Sequence, residues 1–576
     1  AAACAAPAGL SLTQCPVTGG GATLNIGGFG FMQQNVNDRL AANAKVTYFL
    51  NALGHHAFKA GVDFERAIYN TTKAYSGGVG PREFTDGSAF NDFRRFSYLN
   101  GPTINDIVDI PVVRVTPTTN QVGVFLQDSW SIMDVVTLNA GVRYDNQVLF
   151  DGNGNMAMAL NNMWSPRVGA IYDFTQQGRS KIFANFARYY QSIPLNIADR
   201  ALSGENQVVA YRNVGGACDP TGPGGPEGYT MNCTSYQPVD FGESPSHFAR
   251  VTGQGRTPID PNLQAQAKDE IVAGGEYEII PDLRVGATYT KSWMVNVIED
   301  MSNDEANTYF IGNPGSGIAS NFPKATRDYD AVTVMATKVF SDGWMGQASY
   351  TWSSLRGNWA GFFRPETDQL DPGTNADFDL RSLLANRSGP LPGDRTHYIK
   401  FYGAKQFQVT NAFSLGLGVT YEGSSGTPIS YLGGHPLYGA DEAFILERGA
   451  AGRTPWVHSI NLKGMAGYKF NKDTGVQFSV DVLNAFNFQA ATSVDQTYTQ
   501  ASVLPYTVAA GEDPQTAICA GGAPAGPGCV SKVTVVNDAT GEPAGTLTDD
   551  DLNKNFKQPA TYQLPLQVRF GLKFTF

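Results

Sequence analysis

From Tyr562 to Phe576 every even position is apolar or aromatic: Tyr562, Leu564, Leu566, Val568, Phe570, Leu572, Phe574 and Phe576. The odd positions are polar or small, apart from Pro565. A period of two means an extended strand with one greasy and one wet face. Strands of soluble sandwiches rarely sustain this so long or end on an aromatic. A membrane barrel strand does both, because one face meets lipid and the other a polar lumen.

The pattern recurs at Val136–Tyr144, Leu283–Thr290, Phe413–Tyr421 and Val476–Val482. Composition agrees. Only 16% of the 576 residues are charged, well below the usual quarter, while aromatics reach 11% and there are 64 glycines. No run of about eighteen apolar residues is present, so a spanning helix is excluded and a closed barrel is the remaining way through a bilayer. A net charge of −11 argues against a nucleic-acid partner, which would need a basic face. There is no initiator Met or secretory leader, so the sequence is expected to start within a mature or longer protein.

Turn signals fix the layout. Short connections fall at 54–56, 131–134, 176–180, 281–282, 341–343, 409–411 and 471–475. Long Gly/Pro/Asn-rich ones span 71–117, 148–161, 194–267, 301–325, 361–392, 426–454 and 489–558. Short and long alternate, as tight periplasmic turns and outside loops do in outer-membrane barrels. The predicted fold is all-β: an antiparallel transmembrane barrel with about fifteen strands in this chain. Residues 1–36 are expected to be an extracellular loop segment, and 37–576 the barrel portion. An odd strand count puts the two ends on opposite sides, unlike a complete single-chain barrel with an even count and both ends on one side, and suits the C-terminal part of a larger barrel.

The six cysteines form three close pairs in small-residue segments: Cys4 with Cys15, Cys218 with Cys233, and Cys519 with Cys529. In an envelope protein they read as three loop-stapling disulfides, since none has CxxC spacing or a nearby histidine. Clustered carboxylates at Asp549, Asp550 and Asp551 are a candidate Ca²⁺ site, as is the stretch 371–379. No other metal site or cofactor is expected. No GxSxG or Ser–His spacing suggests an enzyme.

The stretch QVGVFLQDSW (121–130) followed by LNAGVRYD (138–145) resembles the TonB-dependent receptor barrel. Further matches follow in the family's order, including WSPRVGAIYDF (164–174), KIFANFARYYQ (181–191), DRTHYIKFYGAKQF (394–407), VDVLNAFNF (480–488) and VRFGLKFTF (568–576). The combination is similar to the Oar-like branch. That resemblance implies a 22-stranded barrel, a plug and a regulatory-like domain, and uptake across the bacterial outer membrane energised by TonB. No plug, TonB box or regulatory-like domain is found here, so these fifteen strands would correspond to the last fifteen. A passive porin-like or adhesive barrel is the alternative.

The expected partners are outer-membrane lipid and lipopolysaccharide, the TonB system through a plug, and a surface lipoprotein or similar neighbour at the long loops. Arg143, Asp145, Arg167, Arg188, Arg284, Asp481 and Arg569 sit at wet positions of the alternation and are expected to line the lumen. Tyr189, Tyr190, Trp352, Trp456 and Tyr562 are expected in interfacial girdles. Phe574 and Phe576 are expected to form the C-terminal assembly signal.

Overall fold

A computed structural model describes residues 31–75, 80–83, 90–100, 107–200, 202, 207–214, 236–238, 249–252, 257–305, 308–367, 376–537 and 541–576. Half of the described strands lie in one antiparallel sheet of 17. Fifteen of these are long: β1 (Phe31–Asn51), β2 (His55–Tyr75), β3 (Thr118–Ile132), β4 (Val136–Phe150), β5 (Met156–Tyr172), β6 (Ser180–Tyr190), β7 (Ala267–Ile280) and β8 (Leu283–Asn296). They continue as β9 (Arg327–Ser341), β10 (Trp344–Gly357), β11 (His397–Gln408), β12 (Phe413–Ser424), β13 (Val457–Lys469), β14 (Gly475–Leu483) and β15 (Gln567–Thr575). Val113–Val115 and Gly389–Pro390 add short rungs to β2 and β10.

Each long strand pairs with the next in sequence, so the sheet is an up-and-down meander. Among the described residues, the outer edges of β1 and β15 have no strand partner.

Register decides which side chains share a face. The rung Gln127–Gly141–Arg167–Ala187–Glu270–Ser292 carries polar and small groups from β3 to β8. The neighbouring face carries Leu126 opposite Val142, and further along Val168, Ile182, Leu417 and Phe570, all exposed despite being apolar. An exposed apolar face this extensive is what a bilayer covers. No helix among the described residues is long and apolar enough to cross a membrane.

Three boundaries differ from expectation. β1 begins at Phe31, inside the segment assigned to a loop, and stays in register with β2 from Phe31↔Tyr75 to Asn51↔His55. The polar run Gln33–Gln34–Asn35 hides it, because a wall that stands clear of lipid has no need of alternation. Residues 148–161 are mostly strand. The connection shrinks to 151–155, where the Asp151 carboxylate accepts the Asn153 and Asn155 backbone N–H groups, both at 2.9 Å. The alternating C-terminal run is broken at Pro565, which has no N–H for a ladder. Pro559–Tyr562 instead pairs with Ala491–Val494 in a separate two-stranded sheet, and β15 starts at Gln567. Phe574 remains on the outward face opposite Val476, and Phe576 is fully exposed.

The long connections lie at one end and carry cores of their own. Ile429, Ile445, Leu446, Val503, Ile518 and Val533 join 425–456 to 484–566. Met301, Phe322, Trp359 and Phe378 join 297–326 to 358–396. These loops form a packed layer over the strand ends, with apolar burial to hold it.

Candidate functional site: the inner wall and its cap

Six of the seven proposed lumen residues lie on the polar face. Asp63, Gly123 and Asp145 occupy one rung across β2, β3 and β4. Arg143, on the next rung, donates from Nη1 to Asp63 at 2.6 Å and from Nε to both oxygens of Asp145 at 2.9 Å. The guanidinium crosses a whole strand to do so. A Cβ on Gly123 would collide with the Arg143 guanidinium, so glycine leaves the path open. Arg167 lies 5.1 Å from the Tyr189 ring, which Lys268 also approaches at 5.5 Å, placing Tyr189 on the inner wall and not in a girdle. Lys181–Glu276 (3.1 Å) and Lys463–Asp481 (2.8 Å) extend the ion-paired lining. Arg284 faces inward opposite Glu278, and Arg569 is paired in register with Asp481.

Arg188 is the exception. It shares a face with Ile182 and stands opposite Asp269, to which it donates twice at 2.7 Å. The outward rung reads Arg188–Asp269–Trp293–Asp328–Arg356. It lies at the loop end of the strands, where the wall leaves the hydrocarbon and a charged pair costs little. Below it runs an outward aromatic row. Rings stack from Tyr350 to His397 (6.1 Å), His397 to Trp456 (5.8 Å), Trp456 to His458 (5.8 Å) and His458 to Tyr421 (6.1 Å). Trp352, opposite His397, belongs to the same girdle.

The cap holds a charge cluster that no local sequence signal announces. Asp377 accepts from Arg387 Nη1 at 2.7 Å and Arg448 Nη2 at 2.8 Å, with Arg364 Nε at 3.7 Å. Glu442 pairs with Arg364, and Glu366 with Arg448 at 3.4 Å. All three guanidinium groups lie over the buried Phe444 ring, at 5.4, 4.8 and 4.7 Å. Burial pushes the Asp377 carboxyl up, but Arg448, Arg387 and Arg364 outweigh it and hold the pKa at about 2. Asp377 therefore faces three cations, while residues 371–375 of the candidate Ca²⁺ stretch lie outside the described residues. Nearby, burial and then the charge of Asp300 raise the Asp379 carboxyl well above its usual range, and Tyr438 donates to it at 2.7 Å.

Ser382 and His435, far apart in sequence, also meet in the cap. His435 Nδ1 accepts the Leu437 N–H at 3.2 Å, which leaves Nε2 protonated to donate to Ser382 Oγ at 3.0 Å. The Ser382 hydroxyl donates in turn to Glu305. In this tautomer the imidazole cannot take the serine proton, and the chain of bonds clamps three loops together.

Cys519 and Cys529 form a disulfide within the cap core, with Cα atoms 5.4 Å apart. Cys4, Cys15, Cys218 and Cys233 lie outside the described residues. The carboxylate of Asp551 accepts from the Thr548 hydroxyl and backbone N–H, and that of Asp549 accepts the Gly528 N–H at 3.0 Å. Among the described residues, no group of three His, Cys, Asp or Glu side chains is placed to hold a metal ion.

Residues 17–481 match the family described as TonB dependent receptor-like, beta-barrel. The chain is 48% identical over 593 aligned positions to the TonB-dependent transporter Oar of Myxococcus xanthus, covering all of this chain and 54% of that protein. It therefore spans about half the length of that relative. Among solved structures it resembles the FpvAI–pyocin S2 complex (12% identity, TM-score 0.45, covering 80% of this chain and 47% of that one). It also resembles the ferric-catecholate import receptor Fiu of E. coli K12 (14% identity, TM-score 0.37, covering 82% and 60%).

Proposed function

The chain belongs to the TonB-dependent receptor-like β-barrel family of the bacterial outer membrane, and on that premise we propose that it supplies the wall and outer cap of a receptor that imports a substrate with energy relayed by TonB. The observation that carries this reading is the inner wall. Arg143, Asp63, Asp145, Lys181 and Glu276 form ion pairs on the polar face of the sheet, the face that would line a lumen. Such a lining suits a removable plug, because its polar contacts can be exchanged for water without exposing apolar surface. Among the described residues the outer edges of β1 and β15 have no strand partner, and since lipid tolerates no unpaired strand edge, closure as in the 22-stranded family barrel would cover them.

The packed loops would select the substrate and meet any surface partner, while lipopolysaccharide would surround the outward aromatic row. No catalytic step is assigned to the Ser382–His435 pair.

Comparing metabolite uptake by cells that carry the full-length protein, with and without TonB, tests this. Uptake that requires both supports the proposal. Uptake that persists without TonB, together with open conductance in planar bilayers, would replace it with a passive pore.

A further inference from the structure

The lipid-facing wall is not uniform. Between β11 and β14, on the outward face near the short turns, lies a cavity of about 340 Å³, at the lower end of the roughly 300–1,000 Å³ of small-molecule sites. Its floor is Gly464 and Ala466. Its walls are Phe407, Leu415, Leu417 and Phe478, which occupy the same two rungs. A Cβ built on Gly464 meets nothing within 4 Å, and its φ lies outside the left-handed region, so neither crowding nor backbone geometry calls for glycine there. Glycine within a strand commonly marks the close approach of something else.

One lysine stands beside this cavity and a second, on β9, reaches the same short turn. Lys405 is the cross-strand partner of Leu417, and its ammonium bends down to the Asp342 carbonyl at 2.8 Å. Lys338 reaches the Val339 carbonyl at 2.9 Å and the Ser341 hydroxyl, and lies 5.1 Å from the Trp344 ring. Both ammonium groups thus gather at the 341–343 turn, at headgroup depth, in the manner of snorkelling lysines. Among the described residues neither forms an ion pair.

We propose that this is a binding site for an anionic phospholipid of the periplasmic leaflet. One acyl chain fills the cavity over Gly464, and the headgroup phosphate bridges Lys405 and Lys338. The occupant follows from position and charge. The apolar hollow opens to hydrocarbon, its rim is cationic, and lipopolysaccharide sits in the opposite leaflet. The flanking Trp344 and Phe407 rings match the headgroup boundary, where aromatics collect.

The test uses the full-length protein, stripped of lipid and returned to nanodiscs of phosphatidylglycerol or of phosphatidylcholine with the same chains. Native mass spectrometry then counts the lipids that stay bound. The expected result is one retained phosphatidylglycerol, favoured over phosphatidylcholine on the order of tenfold from two nearby cations. The K338A/K405A double variant should abolish that preference. Gly464→Leu should reduce retention of both lipids, and Gly464→Ala, which the open space accommodates, should do so partly in a barrel that still shifts on unheated gels. Equal retention of the two lipids by the unaltered protein, retention unaffected by these changes, or a retained protein in place of lipid would each overturn the proposal.

Discussion

Arg143 on β4 is bound to Asp63 on β2, at 2.6 Å, with the whole of β3 between them. The reach is open only because residue 123 has no side chain. Arg143 and Asp63 remain 27% and 41% exposed, so water screens the pair and its stabilisation is modest. A double-mutant cycle of Arg143→Ala and Asp63→Ala should give a coupling of about 1 kcal/mol or less. Gly123→Leu should displace the guanidinium and give the same loss of coupling while the barrel still assembles. A coupling several times larger would mean that the clamp holds the wall itself together.

The cap cluster should behave differently because it is buried. Asp377→Ala leaves three guanidinium groups without their shared carboxylate, a change that costs about 3 kcal/mol or more when an ion pair is buried. Hydrogen exchange should speed up in 358–396 and 425–456, while β11 to β14 stay protected. Protection of the cap equal to that of the unaltered protein would show that Glu442 and Glu366 suffice to hold the arginines.

His435 gives the cap a pH dependence. Burial holds its imidazole pKa below 6.5, with the charge of Glu305 opposing and Arg387 reinforcing the shift. The unfolded loop then binds more protons than the folded one, so acidification disfavours the fold. The penalty begins as pH falls through about 6.5 and is complete below the lower folded value. Protection factors in 425–456, corrected for the intrinsic exchange rate at each pH, should fall between pH 7 and 5 more in the unaltered protein than in His435→Gln. Parallel pH profiles would contradict this sign.

The Cys519–Cys529 bridge closes a short loop at the edge of the cap core. Its removal by paired Cys→Ser substitution should loosen 509–536 by about 2–4 kcal/mol and leave the gel shift of the barrel intact. Mass spectrometry of an unreduced digest also reads the pairings expected for Cys4–Cys15 and Cys218–Cys233. Links between different pairs would refute that assignment.

Period-two patterning made the strands legible, because lipid enforces it on one face of β4, β12 and β14. It failed where lipid does not reach. The polar start of β1 hides the beginning of a strand, Pro565 delays the start of β15 to Gln567, and Arg188 belongs to the outer face above the hydrocarbon although the alternation points it to the lumen. In the stretch Ile182 to Tyr190 both faces carry aromatics, so parity could be read only from register with β7. The arginine cluster had no sequence signature at all. Arg364 and Arg387 lie 23 residues apart in the 358–396 connection and Arg448 comes from 425–456, and only the packing of those two loops makes them neighbours.

Both the import function and the lipid site depend on which face of the wall meets the bilayer. The most direct measurement is a nitroxide scan through 413–421 of the full-length protein in its membrane, in a background without native cysteines. Labels at 413, 415, 417, 419 and 421 should collide with oxygen dissolved in lipid, and labels at 414, 416, 418 and 420 with a water-soluble relaxant. Loss of this alternation, or its inversion, would contradict a lipid-facing wall with a polar lumen behind it.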